Sequence, residues 1–199
     1  GTLTDDWVDA MVKAGKKATS LGVPIILDPV GAGATALRTT AAKRILAETK
    51  VSLVRGNASE ILALAGAQSN SKGVDAADSV DQATEQAIRL AEELKVPVAI
   101  TGPQDLITDG TRVFRVNNGH PLMSRITGTG CGATAIIGAF SGVDPDPVSA
   151  AATALAYYGL AGERAAVAAN GPGSFMIGFL DALYNLTPEE LARDARISE

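Results

Sequence analysis

The stretch SVDQATEQAIRLAEELKVPVAI, Ser79–Ile100, sets a helical pattern directly before a short apolar run. Ala83, Ala87, Leu90, Ala91 and Leu94 fall on one stripe at helical spacing, with the charges mostly opposite. VPVAI, Val96–Ile100, is apolar at every position, which suits a strand buried on both faces. The same rhythm occurs twice upstream. GTLTDDWVDAMVKAGKKATSLG reads as a loop feeding an amphipathic helix before VPIIL, Val23–Leu27, and a second helical pattern precedes VSLV, Val51–Val54. Helix and buried strand in alternation predict an α/β fold with a mostly parallel central sheet flanked by helices. After Ile100 the rhythm changes. DLITDGTRVFRVNNGH, Asp105–His120, holds two alternating runs joined by Asp109-Gly110, which predicts an antiparallel hairpin at the sheet edge. The C-terminal third reads as helical: an alanine-rich helix from about Asp146 to Ala169, a restart at GPGSFMIGFLDALYNL, and a last helix in TPEELARDARI with Thr187 and Glu190 as a capping box.

A chain of 199 residues, 46% hydrophobic, is long enough to bury a core, and neither repeat nor linker divides it, so residues 1–199 are expected to form a single domain. The net charge of −5 and the scattered Arg and Lys argue against a nucleic-acid partner. A lone cysteine excludes an internal disulfide framework and a cysteine-based metal cluster, which fits the cytoplasm. No apolar run approaches the ~20 residues that span a bilayer, and the first residues lack a signal-peptide core, so no membrane partner is expected.

In open α/β sheets ligands bind beyond the carboxyl ends of the strands. The segments after the apolar runs are DPVGAGAT, RGNASE and TGPQD, and TGTGCG comes after the hairpin. They bring forward Asp28, Arg55, Asn57, Glu60, Thr101 and Cys131. Each has a plainer reading. Asn57 and Glu60 have the spacing of a capping box, Asp28 before Pro29 suits a turn, Arg55 suits a surface charge, and Thr101 suits a turn. Read alone, Cys131 suits a small buried hydrophobe, and His120, the one histidine, suits a structural role ahead of a substrate-proximal one.

SRITGTGCGATAIIGAF, Ser124–Phe140, is a glycine turn that opens an apolar helix. Gly128, Gly130 and Gly132 are expected to let the backbone adopt positive φ and approach a ligand, and the first helical turn offers N–H groups to an anion. Gly31-Ala32-Gly33 lacks the third glycine of a dinucleotide fingerprint, and no Gly-Lys-Ser/Thr comes after the glycine turn, so hydride transfer and P-loop hydrolysis both recede. Asp28 and Glu60 as candidate magnesium-organising carboxylates, an arginine and a glycine turn at a helix N-terminus together suit ATP-dependent phosphorylation of a small molecule.

DPVGAGAT, RGNASEI, KGVD, TDG, NGHPLM, TGTGCG and GPGSF, in that order and over essentially the whole chain, resemble the hydroxyethylthiazole kinase family of the ribokinase-like superfamily. The resemblance implies a ribokinase-like fold and transfer of a phosphoryl group from ATP to the alcohol of 4-methyl-5-(2-hydroxyethyl)thiazole, with Mg2+, in thiamine biosynthesis and salvage. By position it implies that Arg55, Asn57 and Thr101 bind ATP and that Asp28 and Glu60 organise the metal. It likewise implies that Gly128 contacts the thiazole and that Gly128 and Gly130 belong to the anion hole. Most members of the superfamily carry an aspartate base where Cys131 stands; here the thiol is expected to assist, chiefly by positioning the alcohol. Family members are trimers with sites at subunit boundaries. They also carry a further N-terminal segment that contributes part of the sheet and a methionine against the thiazole. This chain opens on Gly1 and is expected to lack that segment, so the expected partners are thiazole, ATP, further copies in a homotrimer and a separate N-terminal segment. Two alternatives stay open: a ribokinase-like kinase for another small alcohol, which should carry aspartate at 131, and a nucleotide-binding fragment that depends on its N-terminal part.

Overall fold

The computed structural model describes residues 2–66 and 76–199; the KGVD motif at 72–75 and the side chain of Ala83 lie outside the described residues. The chain divides into two compact units, Gly1–Thr101 with Thr108–Val113, and Gly102–Ile107 with Phe114–Glu199.

The first unit opens on helix α1 (Asp5–Leu21), capped by the Thr4 side chain, which accepts from the Trp7 N–H, with Asp5 and Asp6 at the positive end of its dipole. Val8 and Val12 form its buried stripe. Strand β1 (Ile26–Leu27), helix α2 (Ala36–Glu48), strand β2 (Leu53–Asn57), helix α3 (Ala58–Leu64), helix α4 (Ala76–Leu94) and strand β3 (Val98–Thr101) come next. The three strands are parallel, with Leu27 opposite Val54, Arg55 opposite Ala99 and Asn57 opposite Thr101. Leu53, Val54, Val98 and Ala99 are fully buried, as apolar runs covered on both faces require. Ala87, Leu90 and Ala91 bury the expected stripe of α4, while Leu94 at its end is half-buried.

The strands start later than their apolar runs. Pro97 has no N–H to give to a ladder, so β3 begins at Val98, and the Ile25 N–H goes to Ser52 Oγ at 3.1 Å, so β1 begins at Ile26. At its other end β2 runs on through the polar Arg55-Gly56-Asn57, because these residues pair with Ala99, Ile100 and Thr101. The residues expected just past β2 are thus its last three.

Strands β4 (Asp105–Thr108) and β5 (Val113–Val116) flank the expected Asp109-Gly110 turn. Along the sheet the strands keep chain order, from β1 to β6. Its parallel part is β1 to β3, and β6 (Ile197–Ser198) lies antiparallel to β5, with Val116 opposite Ile197.

In the second unit a 3-10 turn (Pro121–Arg125) precedes helices α5 (Thr129–Ser141), α6 (Pro147–Ala168), α7 (Pro172–Asn185) and α8 (Pro188–Asp194). Helix α6 starts on the Asp146 cap with Pro147 in its first turn, and it is the centre of this unit. Its Ala150, Ala151, Ala154, Ala156 and Ala161 are fully buried. Thr187 and Glu190 form the expected capping box. TPEELARDARI is not helical to its end, however. The chain leaves α8 after Asp194, and the Arg196 backbone N–H donates to Asn118 Oδ1 at 2.7 Å, which starts the β6 pairing.

At the hairpin turn the Asp109 carboxylate accepts from the Thr111 N–H at 3.0 Å, the Arg112 N–H at 2.8 Å and Arg112 Nε at 2.9 Å. Burial pushes its carboxyl up, but the two backbone donors and the guanidinium outweigh that and hold it below the usual carboxylate value. A depressed folded value means that the stabilisation is complete above the ordinary carboxylate range and is lost as acid titrates Asp109. Asp109→Ala is expected to cost about 1–2 kcal/mol in urea unfolding at pH 7. The difference from wild type should narrow below about pH 4.

Candidate active site

In the first unit the strand ends are tied together by one guanidinium. Arg55 stands inside β2 and is only 8% exposed, so it is not a surface charge. A cation in that position has to be paired, and the partners come from the neighbouring strand ends. Nη1 donates to Asp28 Oδ2 at 3.2 Å, just past β1, and Nη2 donates to Thr101 Oγ1 at the end of β3. Its Nε–H is buried with no partner in the protein. A native buried donor left in this way is a position where a bound group can complete the bonding.

The capping box of Asn57 and Glu60 is formed as the spacing predicts. The Glu60 N–H donates to Asn57 Oδ1 at 3.0 Å, and the Asn57 N–H donates to Glu60 Oε2 at 2.9 Å. Glu60 does more than cap. Its Oε1 accepts the Gly31 N–H at 2.9 Å, so the carboxylate joins the loop after β1 to the end of β2. Arg38 holds the same glycine loop from the other side by donating to the Val30 carbonyl at 3.0 Å.

No group of three or more His, Cys, Asp or Glu suited to a metal occurs among the described residues. The carboxylates at these strand ends are Asp28, which accepts from Arg55, and Glu60, which accepts the Gly31 and Asn57 N–H groups.

In the second unit Gly128 takes φ +91° and ψ −3°, a left-handed conformation that favours glycine, and opens α5 without a side-chain cap, whereas Gly130 and Gly132, expected at positive φ, lie inside the helix at ordinary negative φ. The first-turn N–H groups of Thr129, Gly130 and Cys131 consequently have no capping side chain, the arrangement that receives anions. Cys131 is exposed and unpaired as a thiol, not a buried hydrophobe.

His120 Nδ1 accepts the Leu122 N–H at 3.2 Å and so caps the 3-10 turn, which leaves its ring proton on Nε2. The structural reading accounts for this residue. Next to it, Asn118 is 5% exposed, and its Oδ1 takes the Arg196 N–H while its Nδ2 donates to the Asp194 carbonyl at 3.2 Å. Glu163 of α6 accepts the Gly119 N–H at 2.7 Å and the Arg196 guanidinium at 3.2 Å. Sequence reasoning passes over Asn118, Glu163 and Arg196. The available signal is that Glu163 and Arg164 are the only charges in the 22 residues of α6.

With the geometry in hand, comparison with known proteins is direct. The model of the hydroxyethylthiazole kinase family matches residues 1–189. A hydroxyethylthiazole kinase of Desulfotalea psychrophila is 61% identical over 199 residues, which cover 100% of this chain and 73% of that protein. One of Moorella thermoacetica is 52% identical over 197 residues, covering 99% and 74%. The solved structure of a hydroxyethylthiazole kinase from Pyrococcus horikoshii superposes with a TM-score of 0.89 at 40% identity, over 100% of this chain and 74% of that one. A pyridoxal kinase of Leishmania donovani, at 17% identity and a TM-score of 0.52 over 96% of this chain and 68% of its own, shares the ribokinase-like fold.

Glu60→Gln tests the bridging role of the carboxylate. An amide has one acceptor oxygen, so either the Gly31 or the Asn57 N–H loses its partner. Unfolding in urea is expected to show a loss of about 1–3 kcal/mol. Asn57→Ala, which removes the cap and the acceptor of the Ser59 hydroxyl, is expected to cost about 1 kcal/mol.

Proposed function

The chain belongs to the hydroxyethylthiazole kinase family, and from that premise we propose that it transfers the γ-phosphoryl group of ATP to the hydroxyl of 4-methyl-5-(2-hydroxyethyl)thiazole, a step of thiamine salvage. The observation that carries the assignment of roles is Arg55, a buried cation with an unpaired Nε–H at the carboxyl ends of parallel strands. That is where an α/β sheet receives a ligand.

In this reading Arg55, Thr101 and Asn57 bind ATP, and Asp28 and Glu60 organise Mg2+ with the phosphates. Bound there, the ion would offset charge on the β- and γ-phosphate oxygens. Glu60 keeps the glycine loop after β1 and the cap of α3 in fixed relation through its two accepted N–H bonds. Gly128 contacts the thiazole, and the Gly128–Gly130 backbone with the α5 dipole favours negative charge on the transferring group. The alcohol oxygen forms its bond to the γ-phosphorus as the bond to the β–γ bridging oxygen breaks, and ADP leaves. In a loose transition state the hydroxyl proton departs late, to an oxygen of the phosphoryl group being transferred and from there to water, so Cys131 acts mainly by holding the alcohol in line. In this reading residues 1–199 form a single kinase domain.

The active form in this reading is a homotrimer in the cytoplasm. Met176, Ile177, Leu180 and Tyr184 form an exposed apolar stripe on α7, which supports self-association. Among the described residues no helix is long and apolar enough to cross a membrane.

The reading is tested by ADP release from the purified chain with ATP and Mg2+, with and without the thiazole alcohol. Thiazole-dependent release that chelation by EDTA abolishes is the expected result. Nucleotide binding without thiazole-dependent release would overturn it in favour of a nucleotide-binding piece, and release with a different alcohol would overturn the substrate. Cys131→Ser is expected to lower kcat about tenfold at unchanged KM, the scale of lost positioning and less than the 10²–10⁴ of a lost general base. Near-complete loss at unchanged KM would make Cys131 the base.

A further inference from the structure

Gly132 comes directly after Cys131 in the first turn of α5, and its backbone N–H donates to the Gly128 carbonyl at 2.8 Å. A Cβ built on Gly132 would run into the hydroxyl oxygen of Tyr158 and meet its Cζ at 3.1 Å. The hydroxyl end of Tyr158 therefore stands directly against the backbone of the turn that carries the thiol. Tyr158 lies on α6 and is 5% exposed.

Its ring is fixed from behind. Phe179 of α7 meets it edge-on with centroids 4.9 Å apart, Phe175 stacks on Phe179 at 5.7 Å and 9°, and His120 lies 6.3 Å from Phe175. Phe175 and Phe179 are 0% and 4% exposed. Such pairs are held by ring electrostatics as well as by burial, and a ring packed on several sides cannot yield by changing rotamer. One aromatic row thus runs from the backbone of the GTGCG turn to the histidine of NGHPLM.

We propose that Tyr158 is a positioning residue for Cys131: its hydroxyl, backed by Phe179 and Phe175, sets the height of the first turn of α5 and so the place of the thiol and of the N–H groups beside it. The catalytic consequence rests on the kinase reading; the positioning of the thiol does not. Glycine is required at 132 because that hydroxyl occupies the space of a side chain. Removing the hydroxyl should make room for most of a methyl group.

The experiment is a double-mutant cycle of Gly132→Ala and Tyr158→Phe, with two readouts. Gly132→Ala is expected to lower kcat for thiazole phosphorylation about a hundredfold, the scale of a displacement of about 1 Å at a reacting group. The double variant should recover about tenfold or more of that loss, on the order expected for contacting residues. The second readout is the rate at which N-ethylmaleimide labels Cys131, which has no competing cysteine in the chain. Gly132→Ala should shift this rate, and adding Tyr158→Phe should return it toward wild type. Losses that simply multiply, or one labelling rate in all four proteins, would overturn the proposal. Should Gly132→Ala fail to fold, Tyr158→Phe alone decides: a changed labelling rate in a folded protein supports the positioning role, and an unchanged rate with only a lower melting temperature refutes it. Labelling needs no turnover. A wild-type protein without thiazole-dependent ADP release would therefore fail the kinase reading and leave the thiol measurement standing.

Discussion

A permanently charged guanidinium inside a parallel sheet is the constraint from which the first unit is built. Arg55 is held in β2 between apolar neighbours, where an unpaired charge would cost several kcal/mol. Its pairing dictates the residue types at the ends of the adjacent strands: an acid after β1, which is Asp28, and a hydroxyl at the end of β3, which is Thr101. The parallel register supplies the reach, since Thr101 stands opposite Asn57, two residues beyond Arg55. The same strand end starts α3, so the capping carboxylate of Glu60 is carried to the glycine loop by the fold that positions Arg55. Charge pairing, register and capping converge on a few residues. That is why this end of the sheet is polar while the strands behind it are apolar throughout.

The second unit solves a different problem, the close packing of helices that present a glycine turn. Helix α6 is alanine-rich and buried almost all round, so neighbouring backbones approach it closely. Larger side chains interrupt that surface, Glu163 and Tyr158 among them. Glu163 receives the Gly119 N–H and the Arg196 guanidinium, which pins the NNGH segment and the C-terminal strand. Tyr158 meets the turn of α5. Precision at the thiol turn thus comes from rigid side chains on a helix, since no side chain caps α5 itself.

Much of this is legible in the chain. The alternation of helical stripes with VPIIL, VSLV and VPVAI marks the parallel strands, and Asn57 with Glu60 marks a cap that forms as expected. Strand limits are less legible, because Pro97 and the bond of the Ile25 N–H to Ser52 Oγ delay ladders that apolarity alone would begin at Val96 and Val23. The burial of Arg55 is hidden because an arginine after an apolar run looks like the start of a loop until the register of β3 extends the strand. The two residues of β6 carry no strand signal of their own; they pair because Asn118 captures the Arg196 backbone. In the sequence Tyr158 is one more position of an apolar helix, and only the approach of Gly132 gives it a role. The identity of the acceptor alcohol is carried by the ordered motifs and the family they resemble, not by periodicity or charge.

The claim on which the rest stands is that Arg55 is the centre of a nucleotide phosphate site. Calorimetric titration of ATP with Mg2+ into the wild type and into Arg55→Met, each first checked for a cooperative melt, measures it directly. Thr101→Val serves as the milder variant if Arg55→Met does not fold. The account predicts a folded Arg55→Met protein whose affinity for the nucleotide falls at least about thirtyfold, or ~2 kcal/mol. An affinity equal to that of the wild type in a folded Arg55→Met protein would contradict it and make the Arg55, Asp28 and Thr101 cluster a structural pairing alone.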